Sequence, residues 1–343
     1  MTQLSVAIIG AGNIAGGFDK KKQPGDAGVY THAGAFAAHG GFSIKTVVDA
    51  DSSRAENFRR SWNAEASTGD LRRICAARHD VVSVCTPDET HFEIACSLLQ
   101  SKCCKTIFIE KPAAMELGHL EELERISESA GIHLVVNFQR RHEAAHAELC
   151  GLIASRPGEL LSVSGHYMKG LRHIGVTMVD TLTYLCGYPE AVLAFRRSWN
   201  QESNDFSYEF ILFYPGFSAV VKTTDSERFR YNYHIFESDF LFTDRRITLV
   251  DISQAVRETP VTDYAYSGVK VMNERASLLR ETEYKRSMLD VVQYVHDITI
   301  GKVPHETNTV RASYNNQLIV NTIIESFERG PMKLNFDPGS WKR

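Results

Sequence analysis

Apolar residues in the first 136 positions fall into short, nearly continuous runs separated by longer amphipathic stretches. Continuous apolar runs are typical of strands in a parallel sheet, because both faces of such strands are covered. We expect strands at 4–9, 42–48, 81–84, 106–109 and 133–136. Helices are predicted between them at 31–39, 52–62, 71–77, 88–100 and 117–130. This alternation indicates an α/β domain with a doubly wound parallel sheet.

The regular alternation of predicted strands and helices ends after residue 139. Helices are predicted at about 142–154, 175–186, 281–299 and 310–327. Consecutive strand patterns lie at 160–167, 191–199, 206–214, 218–223, 231–237 and 240–250, with a turn signal at Pro215-Gly216. We therefore predict a C-terminal α+β domain with a mostly antiparallel open sheet, and a domain division into 1–138 and 139–343.

A glycine-rich sequence follows the first predicted strand. Gly10, Gly12 and Ala15 form the pattern G-x-G-x-x-A at the junction of strand and helix. Gly10 permits a tight turn, and Gly12 lets the backbone approach a pyrophosphate. Asn13 and Ile14 open the following helix, whose N-terminus offers N–H groups to phosphates. The pattern predicts dinucleotide binding by an N-terminal Rossmann domain.

Asp49 stands at the end of the second predicted strand, where an acidic residue reads the ribose of a dinucleotide. It lies further beyond Gly12 than the usual ~20 residues, so we infer an inserted loop at 19–30 that interrupts the first helix. A carboxylate at this place repels a 2′-phosphate and favours NAD over NADP. Two alternatives remain open: Asp49 only caps the next helix, or Arg54 favours NADP even with Asp49 at the ribose.

Two further motifs stand at the ends of predicted strands. Thr86-Pro87 follows the strand at 81–84 and would line the cofactor. His91 lies in the next helix, where it either contacts the cofactor or is a half-buried surface residue. The charged pair Glu110-Lys111, followed by a proline, comes directly after the strand at 106–109 and is also expected at the cofactor.

Together with the glycine-rich turn and the two-domain layout, Glu110-Lys111-Pro112 makes the chain resemble the glucose–fructose oxidoreductase / inositol dehydrogenase (Gfo/Idh/MocA) family. The resemblance implies that Lys111 is catalytic and contacts both the nicotinamide and the reacting oxygen. It also implies homodimers or homotetramers formed through the open sheet of the second domain. Candidate residues for that face are Phe206, Tyr208, Phe210, Phe213 and Tyr231, which would serve equally well in an intramolecular core.

The second domain departs from the family pattern D-x-G-x-H-x-x-D. His173 stands in place of the aspartate, and Thr177 stands in place of the catalytic histidine. A threonine hydroxyl does not titrate near neutral pH, so either His173 or Lys111 takes the proton, or the reaction differs. We predict His173 as a catalytic residue, and the substrate neighbours as Gln139, Arg140, Tyr167, His173 and Thr177.

Composition limits the other function classes. The 38 basic and 42 acidic residues give a net charge of −4, which predicts no nucleic-acid partner. We expect no membrane span, because no run of about 18 apolar residues occurs. Seven cysteines without a C-x-x-C pair are typical of a reduced, cytoplasmic protein. His142 and His146 match H-E-x-x-H, but charged neighbours favour an ordinary solvated helix face, and we predict no metal.

The sequence therefore predicts an oxidoreductase that transfers a hydride between NAD and a sugar, sugar nucleotide or cyclic polyol. The alternative is a non-catalytic NAD-binding sensor or assembly protein of the same fold, suggested by the absence of the histidine at position 177. A zinc hydrolase is the least favoured interpretation.

Overall fold

The structure, a computed structural model, describes residues 3–201, 203–224 and 234–336. These residues form two compact units. The first unit runs to Glu143 and also contains Lys285–Gln317, and the second contains Ala144–Tyr284 and the segment that begins at Leu318. The two units therefore depart from the predicted division at 138/139, because a segment from late in the chain packs with the N-terminal part.

The sheet of the first unit has six strands, all paired in parallel. They are β1 (Leu4–Ile9), β2 (Phe42–Val48), β3 (Ala66–Thr68), β4 (Val81–Val84), β5 (Thr106–Ile109) and β6 (His133–Val136). Their order across the sheet is β3-β2-β1-β4-β5-β6. This order confirms the predicted doubly wound sheet. The strand order reverses between β1 and β4, where such sheets form a ligand crevice at the carboxyl ends of the strands.

Both faces of this sheet are covered by helices, which explains the continuous apolar runs. Side chains that alternate along the strands enter two separate apolar clusters: Val6 and Ile8 enter one, and Ala7 and Ile9 enter the other. The helices are α1 (Phe18–Lys21), α2 (His32–His39), α3 (Ser52–Trp62), α4 (Arg72–Cys75), α5 (His91–Ser101) and α6 (Leu117–Ala130). Gly40 and Gly131 end α2 and α6 in the left-handed conformation.

The interruption of the first helix is confirmed, since α1 ends at Lys21 and α2 begins at His32. The Asp19 carboxylate accepts hydrogen bonds from the backbone N–H groups of Tyr30 and Thr31, which closes the loop at its base. Asp26 accepts hydrogen bonds from the backbone N–H of Gly28 and from the Tyr30 hydroxyl. The inserted loop is thus held by its own carboxylates.

The segment that returns to the first unit carries α9 (Ser287–Thr299), which is shorter than the predicted helix at 281–299. Its apolar residues recur at helical spacing, and Met288, Val291, Val292 and Val295 are completely buried in one of the two sheet clusters. A hydrogen bond joins the hydroxyl groups of Thr106 in β5 and Thr299. The amphipathic face of α9 therefore completes the cover of the parallel sheet.

The second unit is built on a ten-stranded sheet. Its strands are β7 (Leu160–Tyr167), β8 (Ala191–Asn200), β9 (Asp205–Tyr214), β10 (Phe217–Thr223), β11 (Phe236–Phe242), β12 (Arg245–Val250), β13 (Ala255–Asp263), β14 (Lys270–Met272), β15 (Leu278–Glu281) and β16 (Met332–Lys333). All pairs are antiparallel except β7 with β10, so the predicted mostly antiparallel sheet is confirmed. The chain's remaining helices are α7 (Ala144–Ser155), α8 (Val176–Cys186) and α10 (Val310–Arg329).

One strand prediction in this unit was wrong in its bounds. The run at 240–250 is not one strand, because it divides between β11 and β12, which pair as a hairpin. Part of the predicted strand at 231–237, including Tyr231, lies outside the described residues. Of the candidate open-face aromatics, Tyr208 and Phe210 are buried in the unit's own core, whereas Phe213 is 37% exposed.

Across the described ranges, no helix combines the length and apolar character that a membrane crossing requires.

Candidate active site

Most of the predicted cofactor residues meet at the carboxyl edge of the parallel sheet. Backbone hydrogen bonds continue the ladder past the strand ends: Gly10 donates to Val48, Cys85 to Ile9, and Glu110 to Val84. These bonds place the glycine-rich turn, the Thr86 loop and the Glu110-Lys111 pair beside one another. The edge coincides with the reversal of strand order, where ligands bind in sheets of this type.

The glycine-rich turn has the shape that a pyrophosphate requires. Gly10 adopts φ +92°, and a Cβ there would lie 2.7 Å from the Cys85 carbonyl oxygen. Gly12 is different, because no described atom lies within 4 Å of the place a Cβ would occupy. A side chain at Gly10 would clash with the neighbouring strand end, whereas a side chain at Gly12 would fill open space. That space fits the approach of a dinucleotide phosphate.

A π-helical turn, Asn13–Gly17, follows Gly12 and leads into α1. Gly16 and Gly17 donate backbone hydrogen bonds to the Gly12 carbonyl, so the turn points its N-terminus at the open space beside Gly12. The exposed Asn13 side chain accepts a hydrogen bond from the Lys21 ammonium at 3.0 Å. Gly16 packs so closely on α3 that a Cβ there would overlap the Trp62 indole. Lys21 therefore adds a positive charge at the turn, an addition that the motif alone did not predict.

Asp49 holds the glycine-rich turn as well as facing the site. Its Oδ2 accepts the Ala11 N–H at 2.9 Å, and its Oδ1 accepts the Asp51 N–H at 2.9 Å. The Arg54 guanidinium lies 3.6 Å from the same Oδ2. Asp51, and not Asp49, caps α3 by accepting the N–H groups of Ser53 and Arg54. The alternative in which Asp49 only caps the helix is therefore wrong.

The loop after β4 contains Thr86 and Pro87, and His91 follows at the start of α5. His91 has no exposed surface, and its ring nitrogens contact the carbonyl oxygens of Pro112 at 2.7 Å and Thr86 at 2.9 Å. Neither a direct cofactor contact nor a half-buried surface position fits this burial. His91 instead ties together the two loops that flank the crevice edge.

Glu110 is also buried, and its carboxylate binds other protein groups. Its Oε1 accepts hydrogen bonds from His32 Nε2 at 2.8 Å and from Asn137 Nδ2 at 2.6 Å. Its Oε2 accepts the backbone N–H of Lys111 at 3.3 Å. Burial raises the pKa of Glu110, but the hydrogen bond and charge of His32, the Asn137 hydrogen bond and the Lys111 charge together outweigh burial, and the pKa is lowered. Glu110 therefore stays ionised beside Lys111.

Lys111 is partly buried, and burial lowers the pKa of its ammonium. Glu110 and Asp88 oppose that shift with their negative charges, whereas the buried Arg140 adds to it. Burial likewise raises the pKa of Asp88. A lysine whose pKa lies below the ordinary lysine value because of burial, at the edge of a crevice, is a candidate acid–base group.

Two predicted substrate residues, Gln139 and Arg140, lie in a 3₁₀ turn (Gln139–His142) after β6. The Gln139 side-chain oxygen accepts a hydrogen bond from Ser287 at 3.0 Å. Arg140 is buried, and its charge acts on Lys111. The structure therefore brings Arg140 to the Lys111 site and ties Gln139 to the returning segment.

The other predicted substrate residues lie in the second unit. His173 is exposed in a π-helical turn (Gly170–Gly175), and the partly exposed Thr177 follows in α8. The Asp205 carboxylate accepts the Arg172 N–H at 2.6 Å and also a backbone hydrogen bond from His173, which fixes this turn. His173 and Thr177 thus begin the same helical segment, as their spacing predicts.

Tyr167 does not face a site, and its prediction as a substrate neighbour is wrong. The side chain is completely buried, and its hydroxyl donates to the Tyr208 carbonyl at 2.9 Å and accepts the Tyr208 N–H at 2.8 Å. The strand alternation of β7 turns Tyr167 into the apolar core with Phe210. Its hydroxyl satisfies backbone groups and is not available to a substrate.

The H-E-x-x-H residues do not lie on a solvated helix face, because Glu143 and His146 are completely buried. Burial lowers the pKa of His142 to about 4, and its ring packs on Tyr294. Among the described residues, no group of three or more His, Cys, Asp and Glu side chains has an arrangement that would hold a metal ion.

Sequence reasoning missed the residues that support Glu110 from within the fold. His32 was assigned only to a helix, and Ser83 only to a strand. Each is a polar residue at a position where the pattern predicts a buried apolar side chain. A buried polar residue needs a hydrogen-bond partner, and this requirement was the signal for a polar network.

Comparison with known proteins matches the N-terminal part of the chain to a family. Residues 4–138 match the oxidoreductase family with an NAD-binding Rossmann fold, Gfo/Idh/MocA. D-glucoside 3-dehydrogenase of Escherichia coli is 26% identical over 211 residues, which are 54% of this chain and 55% of that protein. The uncharacterized oxidoreductase YhhX of the same organism is 29% identical over 161 residues, 42% of this chain and 46% of that protein. The matched regions thus span about half the length of these relatives.

Solved structures extend the likeness of fold to nearly the whole chain. A levoglucosan dehydrogenase in complex with NADH and levoglucosan superposes with a TM-score of 0.77 at 19% identity, covering 98% of this chain and 100% of that one. At this identity the likeness concerns the fold alone. The match over residues 4–138, the strand order and the glycine-rich turn agree, and the chain carries the NAD-binding Rossmann domain of the Gfo/Idh/MocA oxidoreductase family.

Proposed function

We propose that the protein is a nicotinamide-dependent oxidoreductase that transfers a hydride to or from a hydroxyl-bearing carbon of a sugar, sugar nucleotide or cyclic polyol. The observation that carries this proposal is Lys111, a lysine with a lowered pKa beside the crevice edge that also carries Gly12. D-glucoside 3-dehydrogenase, a relative with a sugar substrate in its name, supports the substrate class.

The chain's own residues account for binding and proton transfer. Gly12 leaves room for the pyrophosphate, and Asp49 faces the ribose position while it holds the turn. When bound, the nicotinamide supplies the hydride acceptor or donor. In reduction the Lys111 ammonium donates a hydrogen bond to the carbonyl oxygen of the substrate and then gives it a proton. In oxidation the unprotonated Lys111 amine accepts the proton of the substrate hydroxyl.

Turnover screening tests this function. Purified protein is incubated with NAD or NADP and a panel of sugars, sugar nucleotides and cyclic polyols, and reduced coenzyme is followed by absorbance. We expect turnover of at least one compound of this class. Tight NADH binding without turnover of any would favour the non-catalytic NAD-binding protein instead, which the threonine at position 177 suggests.

Coenzyme choice is the first specific prediction. We expect NADH to bind more tightly than NADPH, by about tenfold, because the 2′-phosphate would approach the Asp49 carboxylate. Fluorescence titration with both reduced coenzymes measures this ratio. Asp49→Asn should reduce the preference, whereas Asp70→Asn, at a partly exposed aspartate paired with Arg72, should leave it unchanged. Equal or tighter NADPH binding by the unmodified protein would show that Arg54 sets the preference.

His173 and Thr177 replace the aspartate and the histidine of the family pattern, and the second prediction concerns their part in proton transfer. If His173 relays the proton, His173→Ala should lower turnover about 10²-fold without weakening NADH binding. Thr177→Val should cost about tenfold at most, because it removes a hydrogen-bonding hydroxyl and no titrating group. Steady-state kinetics of both variants on the substrate found above decide the matter. Near-normal turnover of a folded His173→Ala variant would leave Lys111 as the proton acceptor.

A further inference from the structure

A chain of buried polar groups leads from the interior of the parallel sheet to Lys111. His32, in α2, has no exposed surface and contacts two side chains through its ring nitrogens. Nδ1 lies 2.7 Å from the Ser83 hydroxyl oxygen, and Nε2 lies 2.8 Å from Glu110 Oε1. Burying these groups is costly unless each is bonded. The sheet therefore maintains a specific polar network where packing alone would favour apolar residues.

This network ends on the backbone of the lysine. Glu110 uses Oε1 for His32 and Asn137, and it uses Oε2 for the Lys111 N–H at 3.3 Å. The direction of the carboxylate is thus fixed from inside, and the carboxylate in turn fixes the start of the Lys111 segment. Without His32, Asn137 and the Lys111 N–H would remain as partners of the Glu110 carboxylate, and the carboxylate would lose its buried charged partner.

The charges around the network also reach Lys111. Burial opposes a charge on His32, but the contacts with Cys85 and Glu110 outweigh it and raise the pKa of His32 to about 10. The ring is then an imidazolium at neutral pH and neutralises part of the Glu110 charge. The charged groups that act on Lys111 are Glu110 on its own strand end, Asp88 from the loop after β4, and Arg140 from the turn after β6.

We propose that His32 is a positioning residue for Lys111, holding the Glu110 carboxylate in place and limiting how strongly its charge acts on the lysine. His32 cannot touch a substrate or cofactor itself, because it has no exposed surface. The role as a support for catalysis rests on the proposed function of Lys111. The effect of His32 on the pKa of Lys111 can be measured without turnover. The role of His32 and the proposed function can therefore be tested separately.

The test is the titration of Lys111 in His32→Gln. The glutamine amide can still donate to Glu110 but carries no charge, so no positive charge at position 32 offsets the Glu110 carboxylate that acts on Lys111. We expect the pKa of Lys111 to rise by about one unit. Trace acetylation with acetic anhydride between pH 6 and 11 measures it, with mass spectrometry of the tryptic peptide 106–125. Lys111 is the one lysine in that peptide, and the following proline hinders cleavage there.

His39→Gln is the matched control. His39 lies in the same helix and contacts Gln293, away from Glu110, so the Lys111 midpoint should not move. Should His32→Gln fail to fold, Ser83→Ala serves instead. It removes the partner of Nδ1 and should shift the midpoint in the same direction by a smaller amount. An unchanged Lys111 midpoint in the folded variant would overturn the proposal.

The titration separates this inference from the proposed function. A shifted midpoint in a protein that turns over no sugar or polyol would keep the role of His32 and reject the function. If the unmodified protein turns over a sugar or polyol but the Lys111 midpoint does not shift in His32→Gln, the function is kept and the role of His32 is rejected.

Discussion

Lys111→Met is expected to lower turnover by about 10²–10⁴-fold while NADH still binds, because a positioned acid–base group contributes about that much. Methionine matches the length and apolar stem of lysine, so packing around the buried stem is kept. In the oxidation direction the base must be unprotonated, so the rate should rise as the pH rises through the Lys111 pKa. Burial sets that pKa below the ordinary lysine value. The variant should lose this limb of the pH–rate profile.

Steady-state kinetics across pH 6–10, together with NADH titration, measure both effects. Lys105→Met is the control, because Lys105 lies near the start of β5, is exposed and pairs with Asp80. It should retain the turnover and pH profile of the unmodified protein. A folded Lys111→Met variant with nearly normal turnover would remove the observation on which the proposed function depends.

Gly12→Val should raise the dissociation constant for NADH by about 100-fold or more, equivalent to about 2.7 kcal/mol. The open space at the Gly12 Cβ position lets the variant fold, but the added methyl groups occupy the approach of the pyrophosphate. Fluorescence titration gives the affinity, and circular dichroism with thermal unfolding checks the fold.

A second valine substitution isolates the effect of position. A Cβ at Gly118, in α6, also meets no atom within 4 Å, so Gly118→Val adds the same atoms far from the glycine-rich turn. It should leave NADH affinity unchanged. If Gly12→Val binds NADH as tightly as this control, the turn does not hold the phosphates.

The strands of the parallel sheet were predictable because burial on both faces demands uninterrupted apolar runs. β3 was missed, since Ala66–Thr68 has three residues, lies at the sheet edge and contains no large apolar side chain. The run at 240–250 was merged into one strand because apolar residues occur on both sides of the turn at Thr243-Asp244. When apolar residues continue on both sides of a short turn, the hydrophobic pattern does not show where one strand ends and the next begins.

Site residues that depend on local sequence were predictable, whereas those that depend on contacts distant in sequence were not. The positions of the glycine-rich turn and of Lys111 were predictable, because each motif consists of consecutive residues at the end of a strand. The partnership of His32 with Glu110 joins residues 78 positions apart, so only the folded sheet creates it. Tyr167 was misassigned because its position at the end of a strand does not show which face its side chain occupies, and strand alternation turns that side chain into the core.

The return of Lys285–Gln317 to the first unit has a consequence for how the protein is made. Synthesis proceeds from the N-terminus, and N-terminal domains generally fold first. Here the parallel sheet remains without the Met288 and Val295 side chains of α9 until more than four-fifths of the chain has been synthesised. A nascent chain that already contains every cofactor residue therefore still exposes an apolar sheet face. We expect NAD affinity to arise late in translation, when the sheet acquires its last covering helix.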